Sequence, residues 1–130
     1  MNSKILVADD APFIREVLRH ILLKNNFELV GEACDGQEAI ILATQYAPKV
    51  ILMDIVMPRL NGIEATKVIL ERLPRTKVIA CSTEGQESMV LRALEVGCCD
   101  FIAKPFQIDN LIKTIKSALG DNVFSGEEAV

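Results

Sequence analysis

The stretch Val50-Ile51-Leu52-Met53-Asp54 is the clearest indication of the fold class, because four consecutive apolar residues end at an acid. A short run that is apolar on both faces is typical of a strand in a parallel sheet with helices on both sides. Four other short apolar runs have the same character. The sequence therefore predicts five strands, over residues 4–8, 28–33, 50–53, 77–81 and 100–103.

Longer segments with helical periodicity separate these runs. After Pro12, which suits a first helical turn, Ile14, Leu18, Ile21 and Leu22 recur at helical spacing. Helices are predicted over residues 12–24, 37–46, 62–72, 85–96 and 107–119. The fivefold alternation of strand and helix, with right-handed crossovers, predicts an α/β, doubly wound (βα)5 fold.

Length and composition fit one domain. The chain has 130 residues, of which half are apolar, and this is enough for one sizeable core. We expect the domain to span residues 1–120. Residues 121–130 lose the periodicity and turn acidic, which predicts a flexible tail or the start of a linker.

Charge and hydropathy exclude several classes of protein. The net charge is −4 and the basic residues are scattered, so direct binding to nucleic acid is not expected. The apolar runs are far shorter than the roughly 20 residues of a membrane span, and no signal peptide opens the chain. We therefore expect a soluble cytoplasmic protein without membrane insertion. The four cysteines show no paired spacing and are expected to be small buried apolar residues, although Cys98 or Cys99, if exposed, could be redox-sensitive.

Polar residues follow four of the predicted strands. Asp9 and Asp10 come after the first, Asp54 after the third, Ser82 after the fourth and Lys104 after the fifth. An acid after a strand is most often only a cap or a turn residue. Ligands of open α/β sheets, however, bind beyond the carboxyl ends of the strands, and four such positions agree here. The sequence therefore predicts one site at this edge.

Three clustered carboxylates repel one another unless a cation cancels their charge. Mg²⁺ prefers oxygen ligands and is commonly held by carboxylates together with phosphate oxygens. His20, the chain's single imidazole, lies beside the apolar stripe of the first helix, so a transition metal is disfavoured. An aspartate can accept a phosphoryl group, with Lys104 pairing with its oxygens and Ser82 donating a hydrogen bond. Pro105 is a candidate for a cis peptide.

Three motifs together resemble the receiver domain of two-component response regulators, over about residues 4–119. They are ILVADD at 5–10, MDIVMP at 53–58 followed by Asn61-Gly62, and DFIAKPF at 100–106. The resemblance implies a flavodoxin-like sheet with strand order 2-1-3-4-5. It also implies that a histidine kinase phosphorylates Asp54, and that Mg²⁺ is held by Asp54, by Asp10 directly, by Asp9 through water and by the backbone carbonyl of Val56.

The resemblance further implies a switch rather than an enzyme with an external substrate. The chain would catalyse only its own phosphoryl transfer and slow dephosphorylation. Ser82 would move toward the phosphoryl group, and Phe101 would turn inward, although an ordinary core ring is an equal alternative for Phe101. The face of helix 4, strand 5 and helix 5 would then bind a downstream protein, such as a flagellar motor switch, or an output domain.

Three residues depart from the pattern of the family. Thr83 replaces a frequent alanine and adds a hydroxyl at the pocket, and Phe101 replaces the tyrosine of well-known chemotaxis members. Val56 stands where fast-cycling members have an amide that helps orient water. We therefore predict a longer phosphoryl lifetime than theirs.

Two alternatives to this function lie within the receiver family, and two come from other classes of protein. Residues 81–86 and 106–107 resemble stand-alone chemotaxis-type regulators, but an amino-terminal receiver of a longer transcription factor or cyclase, and a phosphorylation-independent pseudo-receiver, are alternatives. A flavodoxin-like cofactor carrier is disfavoured because Asp9 and Asp10 would repel a phosphate in the absence of a cation. A phosphatase with an aspartyl nucleophile would, by resemblance, need an acid at Val56.

Overall fold

The computed structural model of the protein describes residues 3–120. Strands and helices alternate along this part of the chain. The strands are β1 (Lys4–Ala8), β2 (Glu28–Ala33), β3 (Val50–Asp54), β4 (Lys77–Ser82) and β5 (Asp100–Ala103). The helices are α1 (Pro12–Lys24), α2 (Gly36–Tyr46), α3 (Gly62–Arg72), α4 (Glu87–Glu95) and α5 (Ile108–Leu119).

All five strands are parallel, in the order β2-β1-β3-β4-β5. The predicted α/β fold and strand order are therefore confirmed. The bounds of α4 differ from the prediction, since the helix begins at Glu87 rather than 85. Gly85 has a φ of +90°, a left-handed conformation that lies outside the helix.

The core consists of two layers because successive strand residues point to opposite faces of the sheet. In β3, Ile51 and Met53 pack under α2, α3 and α4, whereas Val50 and Leu52 pack under α1 and α5. All four side chains are buried. This two-sided burial explains why the run at 50–53 is uninterruptedly apolar.

Side-chain caps fix the start of two helices near the carboxyl edge of the sheet. Asp35 Oδ1 accepts a hydrogen bond of 2.8 Å from the Glu38 N–H at the start of α2. Asn61 Oδ1 accepts one of 2.9 Å from the Glu64 N–H at the start of α3. Both residues therefore satisfy a backbone donor that the helix itself leaves unpaired.

The cysteine prediction is wrong in part. Cys81 and Cys98 are buried, but Cys34 is half-buried and Cys99 is exposed. Cys99 directly precedes β5, and β5 lies at the edge of the sheet with one neighbour, so fewer side chains cover it. His20 is exposed on α1.

No helix within residues 3–120 is long and apolar enough to cross a membrane. The expected flexible tail at residues 121–130 lies outside the described residues.

Candidate functional site

The predicted site residues lie at the carboxyl edge of the sheet. Asp9 directly follows β1, Asp54 and Ser82 are the last residues of β3 and β4, and Lys104 directly follows β5. Parallel strands bring their carboxyl ends to one edge, so residues far apart in sequence become neighbours. The strand register places Asp54 opposite Cys81, the residue before Ser82.

The ammonium group of Lys104 contacts two carboxylates. Its Nζ lies 2.6 Å from Asp9 Oδ2 and 3.4 Å from Asp54 Oδ2. The Lys104 N–H donates to the Ser82 carbonyl at 2.7 Å, and the following Lys104–Pro105 peptide bond is cis. Lys104 therefore joins the ends of β1, β3, β4 and β5.

Three carboxylates form a compact cluster. Asp9, Asp10 and Asp54 each offer an oxygen, and these oxygens all lie within 4.8 Å of one another. Asp9 and Asp54 are buried, whereas Asp10 is exposed, so the cluster has one open side. An all-oxygen donor set of this kind suits a hard cation such as Mg²⁺.

Burial makes Asp54 unusual. Removal from water raises its pKa to about 6; the Lys104 charge opposes this shift and the Asp9 charge adds to it. Burial alone would lower the pKa of Lys104, but its hydrogen bond to Asp9 and the charges of Asp54 and Asp9 raise it overall. Ionised Asp54 is therefore disfavoured, whereas Lys104 keeps its positive charge. A second cation bound beside Asp54 would favour its ionised form.

The Asp9-Asp10 turn has further support that the sequence did not reveal. Asp9 Oδ1 accepts a hydrogen bond of 2.9 Å from the Ala11 N–H. Arg15 of α1 donates to the backbone oxygen of Asp9 at 2.7 Å, and its Nε lies 3.5 Å from Glu32 of β2. Only the fold brings Arg15 to this turn, and the spacing of these residues gives no signal for it.

The β3–α3 loop (residues 55–61) follows Asp54 and returns close to it. The Val56 N–H donates to Asp54 Oδ1 at 3.2 Å. A Cβ on Gly62 would lie only 2.1 Å from the backbone oxygen of Asp54, so a glycine is required where α3 begins. The Val56 side chain is 44% exposed and borders solvent.

The same loop is tied to α2 by a pair that sequence reasoning missed. Arg59 donates from Nε to Asp35 Oδ2 at 2.7 Å, and its Nη2 lies 2.6 Å from the same oxygen. Asp followed three residues later by Glu38 is a capping signal that could have identified Asp35 as a cap. Its partner Arg59 carries no such signal.

The predicted switch residues lie on the β4–β5 side of the site. Ser82 is buried, whereas Phe101 is 46% exposed. The interpretation of Phe101 as an ordinary core ring is therefore wrong, because β5 is an edge strand and turns this side chain outward. A cavity of about 490 Å³ between α4 and β5 is lined by both residues and by Lys104. Thr83 is exposed, and its N–H donates to Gln86 Oε1 at 2.9 Å.

Comparison with known proteins identifies the family. The model of the response regulator receiver domain matches residues 5–116. The chemotaxis protein CheY of Bacillus subtilis is 42% identical over 119 residues, which cover 92% of this chain and 99% of that protein. The crystal structure of the response regulator domain of Thermotoga maritima CheB is 36% identical, with a TM-score of 0.83 and coverage of 92% of this chain and 98% of that one. The CheX–CheY–BeF3–Mg complex of Borrelia burgdorferi is 29% identical, with a TM-score of 0.84 and coverage of 89% of this chain and 88% of that one. The chain therefore belongs to the response regulator receiver domain family.

Proposed function

We propose that Asp54 accepts a phosphoryl group from the phosphohistidine of a histidine kinase, and that residues 1–120 act as a receiver domain whose partners depend on this modification. The observation that carries the proposal is the Lys104 ammonium, 3.4 Å from Asp54 Oδ2, inside a cluster with Asp9 and Asp10. This arrangement supplies a nucleophile and the charges that phosphoryl transfer needs.

The step exchanges one bond to phosphorus for another. A carboxylate oxygen of Asp54 bonds to phosphorus while the phosphorus–nitrogen bond of the phosphohistidine breaks. The electron pair of that bond stays on the ring nitrogen, which takes a proton from solvent. The product is an acyl phosphate on Asp54, which water slowly hydrolyses to the Asp54 carboxylate and inorganic phosphate.

Mg²⁺ fits the acidic cluster. Asp10 and Asp54 would hold it directly, Asp9 would act through water, and the Val56 backbone carbonyl would complete the protein ligands. When bound, Mg²⁺ supplies positive charge that offsets the transferring phosphoryl oxygens. The raised pKa of Asp54, caused by burial and increased by the Asp9 charge, supports this fit, because such a carboxylate favours a cationic partner.

Lys104 and Ser82 would recognise the phosphoryl group. Lys104 already reaches toward Asp54 from its closer contact with Asp9, so a phosphoryl oxygen needs only a small movement of the ammonium to pair with it. Ser82 would donate its hydroxyl, and Phe101 would turn into the space between α4 and β5. The cavity of about 490 Å³ supports this route, since it extends from Ser82 and Lys104 to Phe101.

The output is proposed to be of the chemotaxis type. The near-complete overlap with a CheY protein supports a stand-alone cytoplasmic regulator. The surface of α4, β5 and α5 would bind a downstream protein such as a flagellar motor switch. A binding assay with that protein, with and without beryllofluoride and Mg²⁺, tests this part, and equal affinity in both states would contradict it.

Phosphorylation itself is tested by intact mass. The protein is incubated with Mg²⁺ and acetyl phosphate, and we expect one added phosphoryl group. Asp54→Asn should remove the addition, whereas Asp100→Asn, at the opposite end of β5, should leave it unchanged. Addition that persists in Asp54→Asn would contradict the proposal, and no addition to the wild-type protein would favour a phosphorylation-independent pseudo-receiver.

A further inference from the structure

The β3–α3 loop carries two features of the proposed site. The Val56 N–H contacts Asp54 Oδ1 at 3.2 Å, and the Val56 carbonyl is a proposed metal ligand. The position of this loop therefore sets the position of backbone groups next to the phosphoryl acceptor. Preorganised groups of this kind determine how well a site binds a cation.

Two contacts hold the far end of the loop against α2. The Leu60 carbonyl accepts a hydrogen bond of 2.9 Å from the Gly36 N–H. A Cβ on Gly36 would lie 2.0 Å from that carbonyl, so the backbones approach as closely as glycine allows. The adjacent Arg59 places two guanidinium nitrogens within 2.7 Å of Asp35 Oδ2.

The backbone conformation of Arg59 indicates that tertiary contacts fix the conformation of the β3–α3 loop. Its φ is +64°, a left-handed conformation that is unfavourable for a residue with a Cβ. Such a conformation persists where the surroundings compensate for it. The contact with Asp35, whose side chain is only 8% exposed, and the neighbouring hydrogen bond from Gly36 to Leu60 both compensate for it.

Asp35 divides its two oxygens between separate tasks. Oδ1 accepts the capping hydrogen bond from the Glu38 N–H, and Oδ2 faces Arg59. The cap already favours a charged acceptor at position 35, because the hydrogen bond from the Glu38 N–H lowers the pKa of Asp35. Arg59 adds to that preference, since its hydrogen bond and charge lower the pKa of Asp35 further, against the effect of burial.

We propose that the Arg59–Asp35 pair is a positioning clamp, which fixes the β3–α3 loop so that the Val56 backbone is preorganised for the metal and for phosphorylated Asp54. The inference rests on the proposed function, and it adds two positioning residues that do not touch the phosphoryl group. Without the clamp, the loop samples other conformations, and metal binding must first order it.

The test separates the clamp from the stability of the fold. In Arg59→Asn the new asparagine tolerates the left-handed backbone but cannot form the ion pair with Asp35. In Asp35→Asn the amide oxygen can still cap α2, but the negative charge that pairs with Arg59 is lost. Mg²⁺ is titrated into ¹⁵N-labelled protein while the Val56 amide resonance is followed. We expect about 10-fold weaker Mg²⁺ binding in both variants, as for other residues that support metal ligands. Arg59→Lys should restore part of the affinity, and thermal unfolding should change little.

Arg75→Asn is the matched control, because Arg75 is exposed in the loop before β4 and should leave Mg²⁺ binding unchanged. Wild-type affinity for Mg²⁺ in Arg59→Asn would overturn the clamp. A wild-type protein that binds no Mg²⁺ would instead overturn the proposed metal site. In that case hydrogen exchange of the metal-free protein still tests the clamp. The clamp requires faster amide exchange at residues 55–61 in Arg59→Asn than in the wild type. Equal exchange rates in the two proteins would overturn it.

Discussion

Lys104 Nζ lies 2.6 Å from Asp9 Oδ2, although 95 positions separate the two residues in the chain. The same ammonium is 3.4 Å from Asp54 Oδ2, so Asp9 is its nearer partner before any phosphoryl group is present. Phosphorylation would add charge on the Asp54 side and draw the ammonium in that direction. The Lys104–Asp9 pair therefore offsets part of the negative charge of the unphosphorylated site and keeps the ammonium close to Asp54.

Removing this cation should destabilise the metal-free protein. Lys104→Gln leaves the buried Asp9 and Asp54 without their positive neighbour, which costs about 3 kcal/mol for a buried pair. The measurement is urea unfolding at neutral pH, with Lys113→Gln on the exposed side of α5 as the control. Added Mg²⁺ should recover part of the loss. A variant as stable as the wild type in the absence of metal would contradict this account.

The raised pKa of Asp54 predicts a pH-dependent difference in stability. The folded-state pKa of about 6 exceeds the ordinary value of 3.8, so folding disfavours the ionised form. The destabilisation is complete above pH 6 and disappears as the pH falls through 6 toward 3.8. The metal-free variant Asp54→Asn should therefore be more stable than the wild type at neutral pH, by up to about 3 kcal/mol.

This advantage should shrink toward about pH 4, where Asp54 is protonated in the folded protein. Guanidinium unfolding of both proteins across this range, without metal, measures the difference directly. Saturating Mg²⁺ at neutral pH should also narrow it, because the cation stabilises the wild-type carboxylate. A difference that stays constant with pH would show that the ionisation of Asp54 is not its cause.

Gly62 is predicted to be irreplaceable at the start of α3. In Gly62→Ala the new Cβ meets the backbone oxygen of Asp54 at 2.1 Å, which forces β3 and α3 apart. We expect a loss of about 3 kcal/mol, together with a displaced Asp54 and slower phosphorylation. Thermal unfolding and acetyl phosphate labelling measure the two effects. Lys67→Ala, on the exposed face of the same helix, should change neither.

The lifetime of the phosphoryl group should depend on Val56. Its side chain is 44% exposed, so Val56→Asn introduces an amide at the solvent edge of the site without opening a core cavity. We expect hydrolysis of phosphorylated Asp54 to accelerate about 10-fold, because an amide can orient the attacking water. Decay of the phosphoprotein after removal of the donor measures the rate, with Val56→Ala as the control for side-chain size. Fast hydrolysis in the wild type that Val56→Asn does not change would refute the prediction.

The outward side chain of Phe101 and the ion pair of Asp35 could not be predicted from the sequence. Residues 101–103 are uniformly apolar and give no alternation, so the sequence could not tell which face Phe101 takes. Its exposure follows from the position of β5 at the sheet edge. Asp35 carries a capping signal in the sequence, because Glu38 follows three residues later, but its pairing with Arg59, 24 positions later, depends on where the β3–α3 loop lies.

Asp54 was predictable as a site residue from local patterns in the sequence, whereas its charged neighbours depend on the fold. The apolar run before it and the helical periodicity around it predict the strands, the helices and the edge at which the acids meet, because these patterns repeat over short distances along the chain. The partner of each charge depends instead on contacts between distant segments. Only the fold decided that Lys104 lies nearer Asp9 than Asp54, that burial raises the pKa of Asp54, and that Arg15 and Arg59 support the two loops beside it. The physical reason is that burial and charge pairing act through space, at distances of a few ångströms that spacing in the sequence does not encode.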